Sequence, residues 1–596
     1  MLLNQHFREI GALAAENRQM LEKTLYPLLK SRRQLDQEEV DALEVFYDQL
    51  MHASEYIDLD MSLLYLVSRK LFSDAVSKGD SSGIIRQGDR HIMSCYTQLN
   101  RSKRLRYVAE ITLRYRKEGL SIARELELFL DHERFLTLSM RDRETVLLNA
   151  RYATALYENT HPDPKSNSKF MRKLKEALHL ASDPFYTENA PDFDWNYHKL
   201  RCLEYFGQAT ECGNLQGFDE KQRKEIAAYN EQLEALWNEN PPQNSVFLSP
   251  ERKEMIVSRG KYYSGQLDVA SYRKILLDLY EKNSDYRFTV DAVFTNILLP
   301  YEYLLTYRDR ELTEEDGRQL QWLYDQLLDY MYHLPGDGVY SPVMEYFSGI
   351  LMDYIEVPQA MSFEEMGLRC MALLHPPTYV HSMMVGSLSR CLCEHLLKRN
   401  PGLFMGVQEC KTVEEVKLYK KKIVDFCYHA ACCHDFGKLP MIDMISIYGR
   451  KILDIEFSML KHHTTLGAEM LKRHESTRDY APIAIGHHRW YDGSKGYPEG
   501  YDVAHLQEKV IIDIVTVADC LDAATDTVGR SYSTGKKPDE IFLEIQEGAG
   551  TRYSPMIASM FADFRVREDL THILNNTRRS DYRDTYMLLK ELQERG

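Results

Sequence analysis

"KKKIVDFCYHAACCHDFGKLP", residues 420–440, is the stretch on which the reading of the fold turns. Three lysines open it. Ile423, Val424, Phe426 and Cys427 then recur at helical spacing, and Ala430 to Cys433 are small or apolar without exception. This pattern predicts a helix that is solvated at its start and buried at its end. His434 and Asp435 emerge from the buried end. A buried carboxylate is costly unless a cation pairs with it, and a metal ion is such a partner. Neighbouring side chains on a helix point about 100° apart. His434 and Asp435 can therefore serve one ion only at a helix terminus, where the carboxylate can also bridge to a second. Gly437 lets the chain turn away without a Cβ. Lys438 follows one short turn later, where a substrate phosphate would lie. Asp435 and Lys438 are thus the expected catalytic pair.

Further stretches on either side carry residues of the same chemistry: "TYVHSMMVGSLSRCL" (378–392), "KHHTTLGAEML" (461–471), "IGHHRWYDGSKGYPEG" (485–500) and "VTVADCLDAATD" (515–526). They add His381, His463, His487, His488 and Asp519 to His434 and Asp435 as candidate metal ligands. Any one of these has an ordinary explanation, since a single histidine on an amphipathic helix is usually a surface or satisfied core residue. The set does not. Asp519 sits in a mostly apolar helix and again needs a partner. Asp522, three residues on, shares its face and is expected to orient the site or cap locally. His462 is read as the exposed neighbour of His463. Mixed imidazole and carboxylate ligation suits iron, manganese, zinc or cobalt better than magnesium or calcium.

In this order the motifs resemble the HD-GYP branch of the HD phosphohydrolases. "HDFGK" resembles the branch's His-Asp-x-Gly-Lys. "HTTLGAEML" resembles its His-x-x-x-Gly helix start. Gly496, Tyr497 and Pro498 resemble the triplet that names the branch. "ADCLDAATD" resembles its Ala-Asp-x-x-Asp-Ala helix, and "GTRYSP" (550–555) its closing segment. The resemblance spans roughly residues 360–565. It implies an all-helical bundle holding two divalent transition metals, iron or manganese first, with zinc, cobalt or nickel as alternatives. It implies a phosphodiesterase that opens a cyclic dinucleotide, cyclic di-GMP above others, to a linear dinucleotide or GMP. Lys438, Tyr497, Arg530 and Tyr532 are the substrate contacts it implies. Departures fall mainly on the substrate side. The usual His-His-Glu is His487-His488-Arg489, and Lys495 is extra. Arg530-Ser531-Tyr532-Ser533 lacks a proline, and its second cation is missing or supplied by Lys536. Branch members with a third metal use a glutamate one turn before the first histidine. Pro377 stands there, so two ions are expected. Hydrolysis of another cyclic dinucleotide or nucleotide, and nucleotide sensing without turnover, are the rival readings.

The rest of the chain bounds these expectations. A formal net charge of −16 argues against nucleic-acid polymers and anionic membranes as partners. Eleven cysteines form neither a disulfide framework nor a Cys-x-x-Cys site, which favours a reducing compartment. No signal-peptide block or membrane-length apolar run is read, and a cytoplasmic location is expected. Residues 1–335 read as successive helices, as in "EIAAYNEQLEALWNEN" (225–240) and "LQWLYDQLLDYMYHL" (320–334). Breaks fall at 161–168, 238–245 and 333–342. "ARYATALYEN" (150–159) is similar to a tetratricopeptide helix, though no fixed repeat emerges. Many tyrosines at helical spacing are expected in the core. The expected division is a helical regulatory or interaction region, 1–335, and a catalytic domain, 336–596. The partner of the first region is unnamed by its residues, and a homodimer is compatible with them.

Overall fold

The computed structural model describes residues 21–52, 60–104, 109–160, 163–211, 217–239, 249–284, 290–308, 310–334, 341–358, 361–445, 451–528 and 535–595. Helix follows helix throughout, and the described residues contain no β-strand. Isolated bridges join Arg489 to Gly496 and Ala549 to Tyr553. The all-α expectation holds. Among the described residues no helix is long and apolar enough to cross a membrane.

The chain divides into two compact units. The first gathers most of residues 1–311 with 340–353, and the second 312–339 with 354–596. In the first, long helices pack chiefly on their sequence neighbours, from Met61–Lys78 and Ser81–Arg104 through Met140–Glu158 and Pro164–His179 to Glu220–Glu239 and Pro250–Tyr263. Many of its tyrosines are in the core as expected: Tyr65, Tyr115, Tyr157 and Tyr272 are fully buried, whereas Tyr197 is exposed. Arg259 is also fully buried, its Nη1 3.1 Å from Glu302 Oε1 and its Nη2 donating to the Gly207 carbonyl at 2.8 Å.

The second unit is built on three helices, named here for the residues that matter later. The His381 helix is Pro376–Arg399, the His434 helix is Lys420–Cys433 and the Asp519 helix is Lys509–Thr525. Val380, Met384, Leu388 and Leu392 of the first, Ile423, Cys427 and Ala430 of the second, and Ile511, Ile514 and Ala518 of the third form one core. Each fully buried aliphatic side chain contributes roughly 1.5–3 kcal/mol. Small residues set the spacing. A Cβ on Gly386 would stand 2.6 Å from Cys432 Sγ, so the His381 and His434 helices approach this closely only because position 386 is bare. The helix Glu314–Tyr332 also lies in this unit. Tyr324 stacks on Tyr354 at 4.4 Å, its hydroxyl donates to the Ile355 carbonyl at 3.1 Å, and Tyr332 donates to the Leu589 carbonyl at 2.9 Å.

Candidate metal centre

Helix ends deliver most of the candidate ligands. His375 caps the His381 helix, its Nδ1 accepting from the Thr378 amide at 3.2 Å. Pro376 and Pro377 fill the first turn, where a missing N–H costs nothing. His381 follows in the second turn. His434 is the residue after the His434 helix, and Asp435 precedes the 3₁₀ turn Phe436–Met441. Phe436 locks that turn in place, since its ring occupies the space a Cβ on Gly367 would need. His463 opens the helix His463–Lys472, and His487 and His488 follow the helix Ala481–Gly486. Asp519 projects from the Asp519 helix.

Seven residues from five segments converge. His381, His434 and Asp519 offer donor atoms within 4.8 Å of one another, and so do His463, His487 and His488. Asp435 lies between the two groups. Its Oδ2 is 3.4 Å from both His381 Nε2 and His434 Nε2, and its Oδ1 is 3.3 Å from His463 Nε2 and 3.9 Å from His487 Nε2. One carboxylate oxygen thus faces each group. His381 Nε2 is also 3.1 Å from Asp519 Oδ1, and His488 Nδ1 lies 4.0 Å from Asp519 Oδ2.

Three of the imidazoles are oriented the same way. Nδ1 of His434 donates to the Ala431 carbonyl at 2.6 Å, that of His463 to Leu460 at 2.7 Å and that of His487 to Ala484 at 2.7 Å. A carbonyl can only accept, so Nδ1 carries the proton and Nε2 presents its lone pair to the centre. His381 is held through Nδ1 as well, by Asp522 Oδ2 at 2.6 Å. His381 Nε2, His434 Nε2 and Asp435 Oδ1 are buried yet lack a hydrogen bond of good geometry despite their close neighbours. Inward lone pairs and unsatisfied buried donors of this kind fit metal ions, which would complete them.

For the His463, His487 and His488 group the electrostatics agree with that fit. Burial, then the neighbouring imidazoles, holds His487 well below its ordinary range. Burial chiefly brings His463 down to about 3 and His488 to about 4, so these rings are neutral donors near pH 7. Burial also opposes charge on Asp435 and Asp519. On Asp435 it is outweighed chiefly by the Lys438 ammonium, and on Asp519 by the close His381 ring, so both carboxyls lie well below the usual range. Burial acts to lower His381 too, but the carboxylates of Asp435, Asp519 and Asp522 close around it outweigh this and raise it to about 10, so this ring, unlike His463, His487 and His488, would have to give up its Nε2 proton to an arriving ion.

The remaining expected site residues fall out as follows. Lys438 Nζ bonds Asp435 Oδ2 directly, at the edge of the centre. Tyr497 packs on the His488 ring at 4.5 Å and 32°. Its loop is clasped by Arg489, which donates from Nη1 to the Gly496 carbonyl at 3.1 Å and from Nη2 to that of Gly493 at 2.6 Å. Gly496 needs its φ of 90° there, and a Cβ would strike the His488 carbonyl. Arg530 and Tyr532 lie outside the described residues. Lys536 is held by both carboxylate oxygens of Glu544, at 2.6 and 2.7 Å. His462 is half-buried and outside both donor groups. Cys391, His395 and Asp569 form a further group of ligand-type atoms. There His395 and Asp569 already satisfy each other at 2.8 Å, and burial pushes the Cys391 thiol up to about 12. Arg578 was not anticipated from the sequence. It binds Asp522 from 56 residues away, and an arginine at the start of a charged helix carries no motif.

Residues 378–524 match the family model described as HD domain. The chain is 33% identical to a cyclic di-GMP phosphodiesterase of Thermotoga maritima over 206 residues, 34% of this chain and 48% of that protein. It is 30% identical to a cyclic di-GMP phosphodiesterase of Vibrio cholerae over 148 residues, 23% of this chain and 28% of that protein. It is 36% identical to the cyclic di-GMP phosphodiesterase response regulator RpfG of Xanthomonas campestris over 130 residues, 21% of this chain and 32% of that protein. The chain thus spans half or less of the length of these relatives. The match and the relatives' names support the HD-GYP resemblance of the C-terminal part.

Proposed function

We propose that the C-terminal part, an HD domain of the HD-GYP kind, is a metal-dependent phosphodiesterase that opens a cyclic dinucleotide, cyclic di-GMP first. The observation that carries this reading is Asp435, whose two oxygens face two separate groups of nitrogen and oxygen donors. One ion would take His381, His434, Asp519 and Asp435. The second would take His463, His487, His488 and Asp435. Two divalent transition metals, iron or manganese before zinc, cobalt or nickel, suit this donor set. Bound there, they would supply the Lewis-acid charge and activated water that in-line phosphodiester hydrolysis needs.

The chain's own residues do the rest. Asp435 fixes the spacing of the two donor groups. Lys438 stands beside that carboxylate and donates to a phosphoryl oxygen as charge develops on it. The Tyr497 ring, laid against His488, forms an aromatic wall for a nucleobase. Arg530 and Tyr532 are retained as proposed contacts to the second half of the dinucleotide. Pro377 has no ligand atom where a third ion would need one, so the centre is proposed to hold two. The helical first region is proposed to receive a protein partner or signal, consistent with its row of packed helices.

The test is to load the purified chain with manganese or iron, incubate it with cyclic di-GMP and follow products by chromatography. Linear dinucleotide or GMP is expected. Absence of product with cyclic di-GMP but turnover of another cyclic dinucleotide would move the substrate. Tight binding without turnover of any would leave a sensor in place of an enzyme.

A further inference from the structure

Arg578 opens the helix Arg578–Arg595, 54 residues beyond the end of the HD match at 524. Its side chain is 12% exposed, and each of its three guanidinium nitrogens donates. Nη2 donates to Asp522 Oδ1 at 2.7 Å and to Thr525 Oγ1 at 2.8 Å, Nε donates to Asp522 Oδ1 at 3.2 Å, and Nη1 donates to the Thr525 carbonyl at 3.0 Å. The other oxygen of Asp522, Oδ2, accepts from His381 Nδ1 at 2.6 Å. His381 Nε2 then faces Asp435 and Asp519.

We infer that Arg578 is a positioning residue for the metal centre, acting through Asp522 on His381. The inference rests on the two-metal reading above. The physical chain is short. Asp522 shares a helix with Asp519, and its carboxylate has two rotameric freedoms that a single hydrogen bond from His381 would not remove. The planar fork of Arg578 fixes the carboxylate from the far side, as an ammonium group could not. With Asp522 fixed, the imidazole plane of His381 is fixed, and Nε2 points at the position between Asp435 and Asp519. Outer partners of this kind change metal affinity about 10- to 100-fold. Only the His381, His434 and Asp519 group depends on this brace. His463, His487 and His488 are oriented by backbone carbonyls or neighbouring rings and do not touch it.

The experiment is cobalt(II) titration of the full-length chain, read by calorimetry and by metal content after dialysis. The wild type is expected to take two ions. Arg578→Ala is expected to weaken one of them by 10-fold or more and leave the other unchanged. Asp522→Asn should do the same, and the double variant should be no worse than either single one. Arg578→Lys should recover only part of the loss. Tyr582→Phe is the control for helix docking: it removes the 2.9 Å bond from Tyr582 Oη to Asp526 on the same helix without touching Asp522. It should keep both ions at wild-type affinity. A wild type that binds no ion would refute the two-metal reading itself. A wild type with two ions and an Arg578→Ala variant that matches it would refute only the brace. Equal losses in Tyr582→Phe and Arg578→Ala, or equal weakening of both ions in Arg578→Ala, would also refute it, by showing a general effect of the last helix.

Discussion

At the scale of single residues, Asp435 and Lys438 separate what binds from what reacts. Asp435→Ala removes the oxygen facing each donor group, so the purified variant is expected to lose both ions, measured as metal per chain. Lys438→Ala removes a cation and no ligand. It is expected to keep its metal and lose about 100-fold in kcat on cyclic di-GMP, the scale of one lost charge-stabilising donor. Full metal in Asp435→Ala, or unchanged kinetics in Lys438→Ala, would contradict these roles. Gly437 carries a second lesson. The sequence reading gave it a turn, yet it is absent from the glycines of positive φ. It is bare because the backbone of the next segment lies against it: a Cβ would overlap the His463 carbonyl and stand 2.6 Å from the Gly467 amide. Backbone cannot rotate away as a side chain can. Gly437→Ala is therefore expected to cost at least about 2 kcal/mol and to separate His463 from Asp435. Urea unfolding and metal content would both report it, and wild-type values in both would show that the two segments can part freely.

At the scale of helices, the His381, His434 and Asp519 helices were legible because each has a long apolar stripe, and a stripe is local information. The donor set was legible for a related reason. Five motifs, each short and each at a helix end or on an apolar face, concentrate ligand-type residues that a core would otherwise exclude. Asp522 could be read as an orienting residue from its place three beyond Asp519. Arg578 could not, because its role depends on where a distant helix comes to rest. The Arg489 clasp on the carbonyls of Gly493 and Gly496 was hidden for the same reason: carbonyl acceptors have no sequence signature. The helix Glu314–Tyr332 precedes the expected division at 335 and lies within the second compact unit. Tyr324 stacks on Tyr354 and Gln321 Oε1 accepts from the Met361 amide at 3.0 Å, so this helix belongs with the site although a Pro-Gly-Asp-Gly break follows it. A chain starting at Leu312 is expected to fold and hold two ions. One starting at Tyr340 should be less stable, since it bares the face of Tyr354. Circular dichroism melts of the two would decide, and equal melting temperatures would place the helix outside the unit.

At the scale of the whole molecule, only one of the two compact units carries the centre, so ligand linkage should act on it alone. An ion present at 100 times its Kd stabilises the folded form by about 2.7 kcal/mol. Chelation removes both ions, about 5.4 kcal/mol, and is expected to lower the melting temperature of the unit holding residues 354–596 by roughly 10–20 °C and leave the other transition in place. Calorimetry with and without chelator checks this, and a shift of both transitions together would show that the units unfold as one. The hydrogen bonds from His434, His463 and His487 back to carbonyls of the helices just before them have a further consequence for how ions come and go. Rings already immobilised by the backbone lose little freedom when an ion arrives, so uptake orders almost nothing. Exchange then proceeds on a folded protein, without the collapse that zinc fingers suffer when stripped. Chain grown in iron-rich medium and chain grown in manganese-rich medium should differ in metal content yet share one far-ultraviolet circular dichroism spectrum and one amide hydrogen-exchange pattern, with the cell's supply choosing the occupant.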